Sequence, residues 1–167
     1  MRVNAVAHEP ETGTRWVLFA LDSGRYALPL ASIERVVRAA EYTPLPQAPS
    51  AVLGAIDVAG NILPVFNLRN RFQLPERPLA LSDQFIIART PRRHVVLAVD
   101  AALGVIDEPA QGAIDSARLA PGMPHIRGVL SLPDGLVLIQ DLERFLSADE
   151  THVLDAAIRD EERRRAR

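Results

Sequence analysis

Leu53-Gly54-Ala55-Ile56-Asp57-Val58-Ala59-Gly60-Asn61-Ile62-Leu63-Pro64-Val65-Phe66-Asn67-Leu68 lies without a gap over Arg127-Gly128-Val129-Leu130-Ser131-Leu132-Pro133-Asp134-Gly135-Leu136-Val137-Leu138-Ile139-Gln140-Asp141-Leu142. Each stretch reads as a β-hairpin. An apolar run opens on a glycine, turns at Gly60-Asn61 or Asp134-Gly135, and returns as a second apolar run. It then ends on Asn67 or Asp141, side chains whose oxygen can accept an amide that the first helical turn leaves unpaired.

A weaker echo lies upstream. Trp16-Val17-Leu18 and Tyr26-Ala27-Leu28-Pro29-Leu30 precede Val36-Val37 much as Phe85-Ile86-Ile87 and Val95-Val96-Leu97-Ala98-Val99 precede Val105-Ile106. The offset here is five residues shorter than in the hairpins, which places an insertion between Glu108 and Pro124. The chain therefore reads as one domain, 1–167, holding two related units at about 15–75 and 84–146, joined by the polar link Pro75-Glu76-Arg77-Pro78. Two copies are too few for a solenoid, so a duplication inside one compact body is expected.

Composition narrows the function. With 167 residues and 48% hydrophobic content the chain can bury a substantial core. A net charge of −2 argues against a nucleic-acid or anionic-lipid surface. All 19 basic residues are Arg and there is no Cys, which removes disulfides, thiolate catalysis and Cys-based metal sites. No apolar run reaches the roughly 18 residues of a membrane span, and the first residues are polar, so neither direct membrane insertion nor a secretory signal is expected. These features imply a cytoplasmic protein.

Short runs rich in Val, Ile, Leu and Phe, separated by turns such as Asp22-Ser23-Gly24 and Thr90-Pro91-Arg92, imply mostly strand. Pro44, Pro46 and Pro49, and later Pro121 and Pro124, exclude long helices from their stretches. The C-terminus differs. Ser147-Ala148-Asp149-Glu150 has the form of a capping box, and Val153, Leu154, Ala157 and Ile158 follow at helical spacing, predicting a docked helix over about 147–162. From Arg159 onward the apolar stripe is lost, so fraying into solvent is expected, with Glu161 paired to Arg165.

Catalytic equipment is absent from the pattern. His8, His94, His125 and His152 are scattered and make no metal-ligand spacing. Asp57, Asp100, Asp107 and Asp141 fall where turn or cap residues belong. There is no glycine-rich phosphate loop and no Gly-x-Ser-x-Gly elbow. No catalytic residue, metal site or cofactor is therefore assigned.

At this point the order of motifs resembles a known family. Trp16-Val17-Leu18-Phe19-Ala20-Leu21, Tyr26-Ala27-Leu28-Pro29-Leu30, Thr43-Pro44-Leu45-Pro46, Leu63-Pro64-Val65-Phe66-Asn67-Leu68-Arg69, Val95-Val96-Leu97-Ala98-Val99-Asp100 and Leu138-Ile139-Gln140-Asp141-Leu142-Glu143 are similar to the chemotaxis coupling proteins of the CheW type. The resemblance implies an all-β fold of two SH3-like five-stranded β-barrel subdomains in one compact body, plus the C-terminal α-helix. It further implies a non-enzymatic adaptor without cofactors, bridging the cytoplasmic tips of methyl-accepting chemoreceptors to the regulatory domain of a CheA-type histidine kinase, in receptor arrays at the inner membrane. A detached regulatory fragment of a larger chemosensory kinase, or of a receiver-fused coupling protein, is the alternative. The receptor is expected in the groove between barrels, and the kinase on exposed positions of the second barrel. The family usually carries Asn-Leu-Arg-Gly where this chain has Asp57-Val58-Ala59-Gly60, and commonly an acidic residue where Arg35 stands. Ile33, Arg35, Val36, Asp57, Val58, Ala59 and Gly60 are thus the receptor-interface candidates, with a changed partner and neutral drift both open as the cause of the departures.

Overall fold

The computed structural model describes residues 14–110, 112–115 and 125–167. The strands are β1 (Arg15–Leu21), β2 (Gly24–Pro29), β3 (Ile33–Arg38), β4 (Val52–Val58), β5 (Asn61–Phe66), β6 (Gln84–Arg89), β7 (His94–Val99), β8 (Ala101–Asp107), β9 (Ile114–Asp115), β10 (Ile126–Leu132) and β11 (Gly135–Gln140). Helix α1 is Leu68–Arg71 and α2 is Ala148–Arg165. Pro121 and Pro124 lie outside the described residues.

The strands form two sheets, ordered β8-β1-β2-β11-β10-β9 and β3-β6-β7-β5-β4. Each sheet draws from both halves of the chain. The leading hairpin of each half, β1–β2 or β6–β7, is built into the sheet formed by the later strands of the other, joined there by the parallel pairs β2–β11 and β7–β5. Among the described residues the edge strands of each curled, SH3-like sheet do not pair with each other. A barrel in space is therefore not a unit in sequence, because the leading hairpins are exchanged.

The repeated register is shared pair by pair. Val52 opposes Phe66 and Gly54 opposes Val65 with an irregularity between, as Ile126 opposes Gln140 and Gly128 opposes Ile139. Ile33 opposes Ala88 and Arg35 opposes Ile87, as Ala102 opposes Phe19 and Gly104 opposes Leu18. Thr43 bridges Ala55 and Ile114 bridges Val129, so the extra residues of the second half enter on both sides of β9. That bridge explains the opening glycine of each hairpin. A Cβ on Gly54 would stand 2.3 Å from the Thr43 carbonyl oxygen, and one on Gly128 2.6 Å from that of Ile114. The tips sit one residue earlier than the sequence implied. Val58 opposes Asn61 and Leu132 opposes Gly135, leaving Ala59-Gly60 and Pro133-Asp134 as the loops. Ala59 and Gly60 both have positive φ, as the twist of a two-residue hairpin demands.

Alternation along the strands divides the apolar residues among three cores. Trp16, Leu18, Ala27, Leu130, Val137 and Ile139 fill one sheet's curl, and Leu63, Val65, Phe85, Ile87 and Val96 the other. The opposite faces, with Phe19, Leu28, Phe66, Ile86 and Leu97, meet between the sheets. Helix α2 seals that central core with Leu154, Ala157 and Ile158, each such buried aliphatic side chain of Leu size contributing about 1.5–3 kcal/mol. Its capping box is present, with Glu150 N donating to Ser147 Oγ at 3.1 Å and Ser147 N donating to Glu150 Oε1 at 3.0 Å. Two expectations for this helix need correction. Val153 is exposed rather than part of the docked stripe, and the helix continues to Arg165 because buried Glu161 extends the docked face and pairs with Arg164 and Arg165.

Candidate functional site

The chain passes between sheets twice, at Leu30–Ser32 after β2 and at Asp100 after β7. These crossings are equivalent in the repeated register, but their surroundings differ.

The crossing at Asp100 is clamped by ions. Arg69, at the start of α1, donates from Nη1 to Asp22 Oδ1 and from Nη2 to Asp100 Oδ1, both at 2.7 Å, and also to the Pro75 carbonyl at 3.0 Å. Arg77, from the link between halves, donates to both Asp83 oxygens at 2.8 Å and to Asp100 Oδ1 at 2.7 Å. Asp22 N donates to Asp100 Oδ2 at 2.7 Å. The Arg77 hydrogen bonds hold the Asp83 carboxyl below the usual range, against the opposing effect of burial. Burial works against the Arg69 charge, yet its bonds to Asp100 and Asp22 outweigh that and raise its pKa. The remaining space is a crevice of about 60 Å³.

The crossing at Leu30–Ser32 is open. A groove of about 660 Å³ runs between this segment, the β6–β7 turn and the end of β11, and continues through Thr90, Pro91 and Leu142 toward Leu154 of α2. Gln140 lines it, 2% exposed, and among the described residues neither its Oε1 nor its Nε2 has a hydrogen-bond partner. Arg89 and Arg127, also in the lining, are exposed and make no ion pair among the described residues. Asp141 is occupied as a cap, its Oδ1 accepting from Glu143 N at 3.1 Å and Arg144 N at 3.3 Å.

The residues singled out in the sequence fall in two other places. Ile33, packed against the central core, follows directly on the groove wall, and Arg35 and Val36 continue outward along the exposed strand β3. Asp57, Val58, Ala59 and Gly60 form the β4–β5 tip at the end of α2. Asp57 Oδ1 accepts from Gly60 N at 2.8 Å, as a turn residue should, while Oδ2 accepts from Arg165 Nη1 at 2.7 Å. Asn67 caps α1 through Asn70 N at 3.1 Å. Asp107 makes a surface pair with Arg15. Arg89, Arg127 and Gln140 were missed. Alignment of the two hairpins holds the signal for Gln140, which stands where Phe66 does in the other copy.

Among the described residues no group of three or more His, Asp or Glu could hold a metal ion, and no helix is long and apolar enough to cross a membrane. The described surface presents a charged groove between the sheets, the exposed strand β3 and the β4–β5 and β10–β11 hairpin tips.

Comparison with known proteins agrees. The family model for the CheW-like domain matches residues 15–150. "Chemotaxis protein CheW" of Thermotoga maritima is 32% identical over 129 residues, covering 77% of this chain and 84% of that protein. The Treponema pallidum protein of the same name is 24% identical over 144 residues, covering 83% and 85%. The crystal structure of the scaffolding protein TtCheW from Thermoanaerobacter tengcongensis superposes with a TM-score of 0.75 at 23% identity, over 83% of this chain and 95% of that one. The chain belongs to the CheW-like domain family. It is a non-enzymatic chemotaxis coupling adaptor.

Proposed function

We propose that this adaptor joins the cytoplasmic tip of a methyl-accepting chemoreceptor to the regulatory domain of a CheA-type histidine kinase, in a cytoplasmic array beneath the inner membrane. The match of the family model across both sheets carries the reading, and two surfaces support its division of labour. The receptor docks in the open groove at Leu30–Ser32, with Ile33, Arg35 and Val36 extending the contact along β3. The kinase docks on the other sheet's end, where Ile106, Leu132 and Pro133 line a shallow depression and Leu103, Val105 and Leu136 are exposed beside it. Those apolar side chains on an edge strand and hairpin are the kind of patch that marks a protein contact. The β4–β5 tip, Asp57 to Gly60, is a second candidate receptor contact.

Reconstitution tests the reading. Purified protein added to its cell's own histidine kinase and receptor-bearing membranes should bring the kinase to the membrane fraction and place its autophosphorylation under receptor control. The protein alone should not consume ATP. A kinase that neither sediments with the membranes nor responds to them in its presence defeats the proposal.

A further inference from the structure

The repeated register makes the two chain crossings direct counterparts, and only one is filled. In the clamped crevice the chain's own link lies across the site, and Arg69 and Arg77 meet Asp22, Asp83 and Asp100. In the open groove the counterparts of Asp22 and Asp100 are Pro91 and Ala31, Glu143 stands in the place of Arg69, and Arg127 in the place of Leu53. The polarity of the site is thus reversed. Its lining carries Arg89, Arg127 and Arg144 against Asp141 and Glu143, and Asp141 is already engaged by backbone amides and by Arg144 at 3.8 Å. Among the described residues Arg89 and Arg127 have no carboxylate partner.

Gln140 is an independent sign that the groove awaits an occupant. Phe66, its counterpart, packs into the central core against Phe145 at 4.4 Å between ring centroids. A carboxamide in that position without one hydrogen bond costs stability that an apolar side chain would not. Its presence beside two arginines that lack a carboxylate partner among the described residues points to a polar partner.

We propose that the groove holds an acidic segment of the chemoreceptor tip, Arg89 and Arg127 pairing with two of its carboxylates and Gln140 taking its missing hydrogen bonds from the same segment. This rests on the receptor-docking reading above and names the chemistry of that contact. The clamped crevice supplies the precedent within the molecule: Arg77 of the link reaches carboxylates that face it, so carboxylates of a docked segment belong where arginines line the open groove.

The test is titration of a purified receptor-tip fragment from the same cell, and of the same fragment with its Asp and Glu changed to Asn and Gln, against six proteins: wild type, Arg89→Glu, Arg127→Glu, the double reversal, Arg89→Lys with Arg127→Lys, and Gln140→Leu. Each single reversal should weaken binding about tenfold and the double at least about thirtyfold. Gln140→Leu should weaken it roughly fivefold while its thermal midpoint does not fall. The neutralised fragment should bind weakly and equally to wild type and the arginine variants. Arg89→Lys with Arg127→Lys should retain most of the affinity. If wild type does not bind the fragment, the receptor reading falls and this inference with it. If wild type binds and the double reversal binds equally, the receptor reading stands and the inference is overturned. Unchanged affinity in Gln140→Leu overturns its hydrogen-bonding part.

Discussion

Arg165 and Asp57 are 108 residues apart in sequence, yet Nη1 of one donates to Oδ2 of the other at 2.7 Å, fastening the end of α2 to the β4–β5 tip. Arg165 also reaches Glu161, which is 9% exposed on the docked face of the helix. The last two turns are therefore part of the fold. Truncation after Arg159 should lower stability by roughly 1–2 kcal/mol, read from urea denaturation, because it removes buried Glu161 packing as well as the pair. Arg165→Ala alone should cost under about 1 kcal/mol, since both partners remain partly exposed. Truncation after Ser147 uncovers the central core and should give aggregation.

Arg69 ties Asp22 and Asp100 to one guanidinium, with its own side chain 12% exposed. Removing it leaves two carboxylates with a shared counterion gone. Arg69→Met should destabilise by about 2–4 kcal/mol in equilibrium unfolding. Arg69→Lys should recover only part of that, because an ammonium cannot hold two acceptors in the planar fork geometry. Full recovery by lysine would show that only the charge matters.

Burial, with the Arg71 charge nearby, pushes the His125 imidazole below its ordinary value of 6.5. The folded state therefore binds a proton less readily than the unfolded chain. The associated stability is present above pH 6.5 and is lost as pH falls through the lowered folded value. The urea midpoint should decline between pH 7.5 and 5.5, and His125→Asn should flatten the decline. An equal slope in that variant would assign it to other groups. Acid loss at lower pH has a second source in Glu150, whose carboxyl burial would raise but Arg71 and the Ser147 amide hold below the usual range.

Arg35 and Ala59 depart together from the family pattern but occupy different surroundings. Arg35 is exposed on β3, directly beyond the groove wall, whereas Ala59 is at the tip beside the Arg165–Asp57 pair. Arg35→Glu should weaken receptor binding about tenfold if its charge is desolvated on docking. Ala59→Arg should change it less than threefold, and the two effects should add within about 0.5 kcal/mol in a double-mutant cycle. Strong coupling would mean that one receptor surface spans both places.

Much of the fold was legible because the hairpin repeat is a pattern of strand-period apolar residues, and Asn67, Asp57 and Ser147 perform the turn and cap roles their chemistry favours. What sequence could not give was which hairpin enters which sheet. β1–β2 and β6–β7 carry nearly interchangeable apolar faces, so exchange between sheets leaves the pattern unchanged. The charged site was hidden for a related reason. Arg69 finds Asp22 and Asp100 only after the chain crosses between sheets, and Arg89 and Arg127 lie on strands whose neighbours read as core. Val153 followed the helical stripe by spacing but falls at its margin, where the docked face turns toward Ala157 and Glu161.

Gln140 offers a prediction in which stability and binding move in opposite directions. Its carboxamide is buried at the groove wall with no partner for either polar atom among the described residues, and a buried amide in that state costs about 1–3 kcal/mol. Gln140→Leu keeps most of the volume and removes the polar atoms, so it should raise stability by about 1 kcal/mol after some loss of packing contact. Gln140→Ala removes the polar group but opens a cavity beside Leu138 and Leu142, and should gain little or lose stability. If Gln140 serves only as filler, the leucine variant should be a better protein in every respect. If it serves the docked state, the same variant should be more stable alone and bind the receptor tip more weakly, a combination that urea midpoints and titrations on one preparation would resolve. A leucine variant less stable than wild type would mean that the carboxamide is satisfied in solution by water reaching it from the groove.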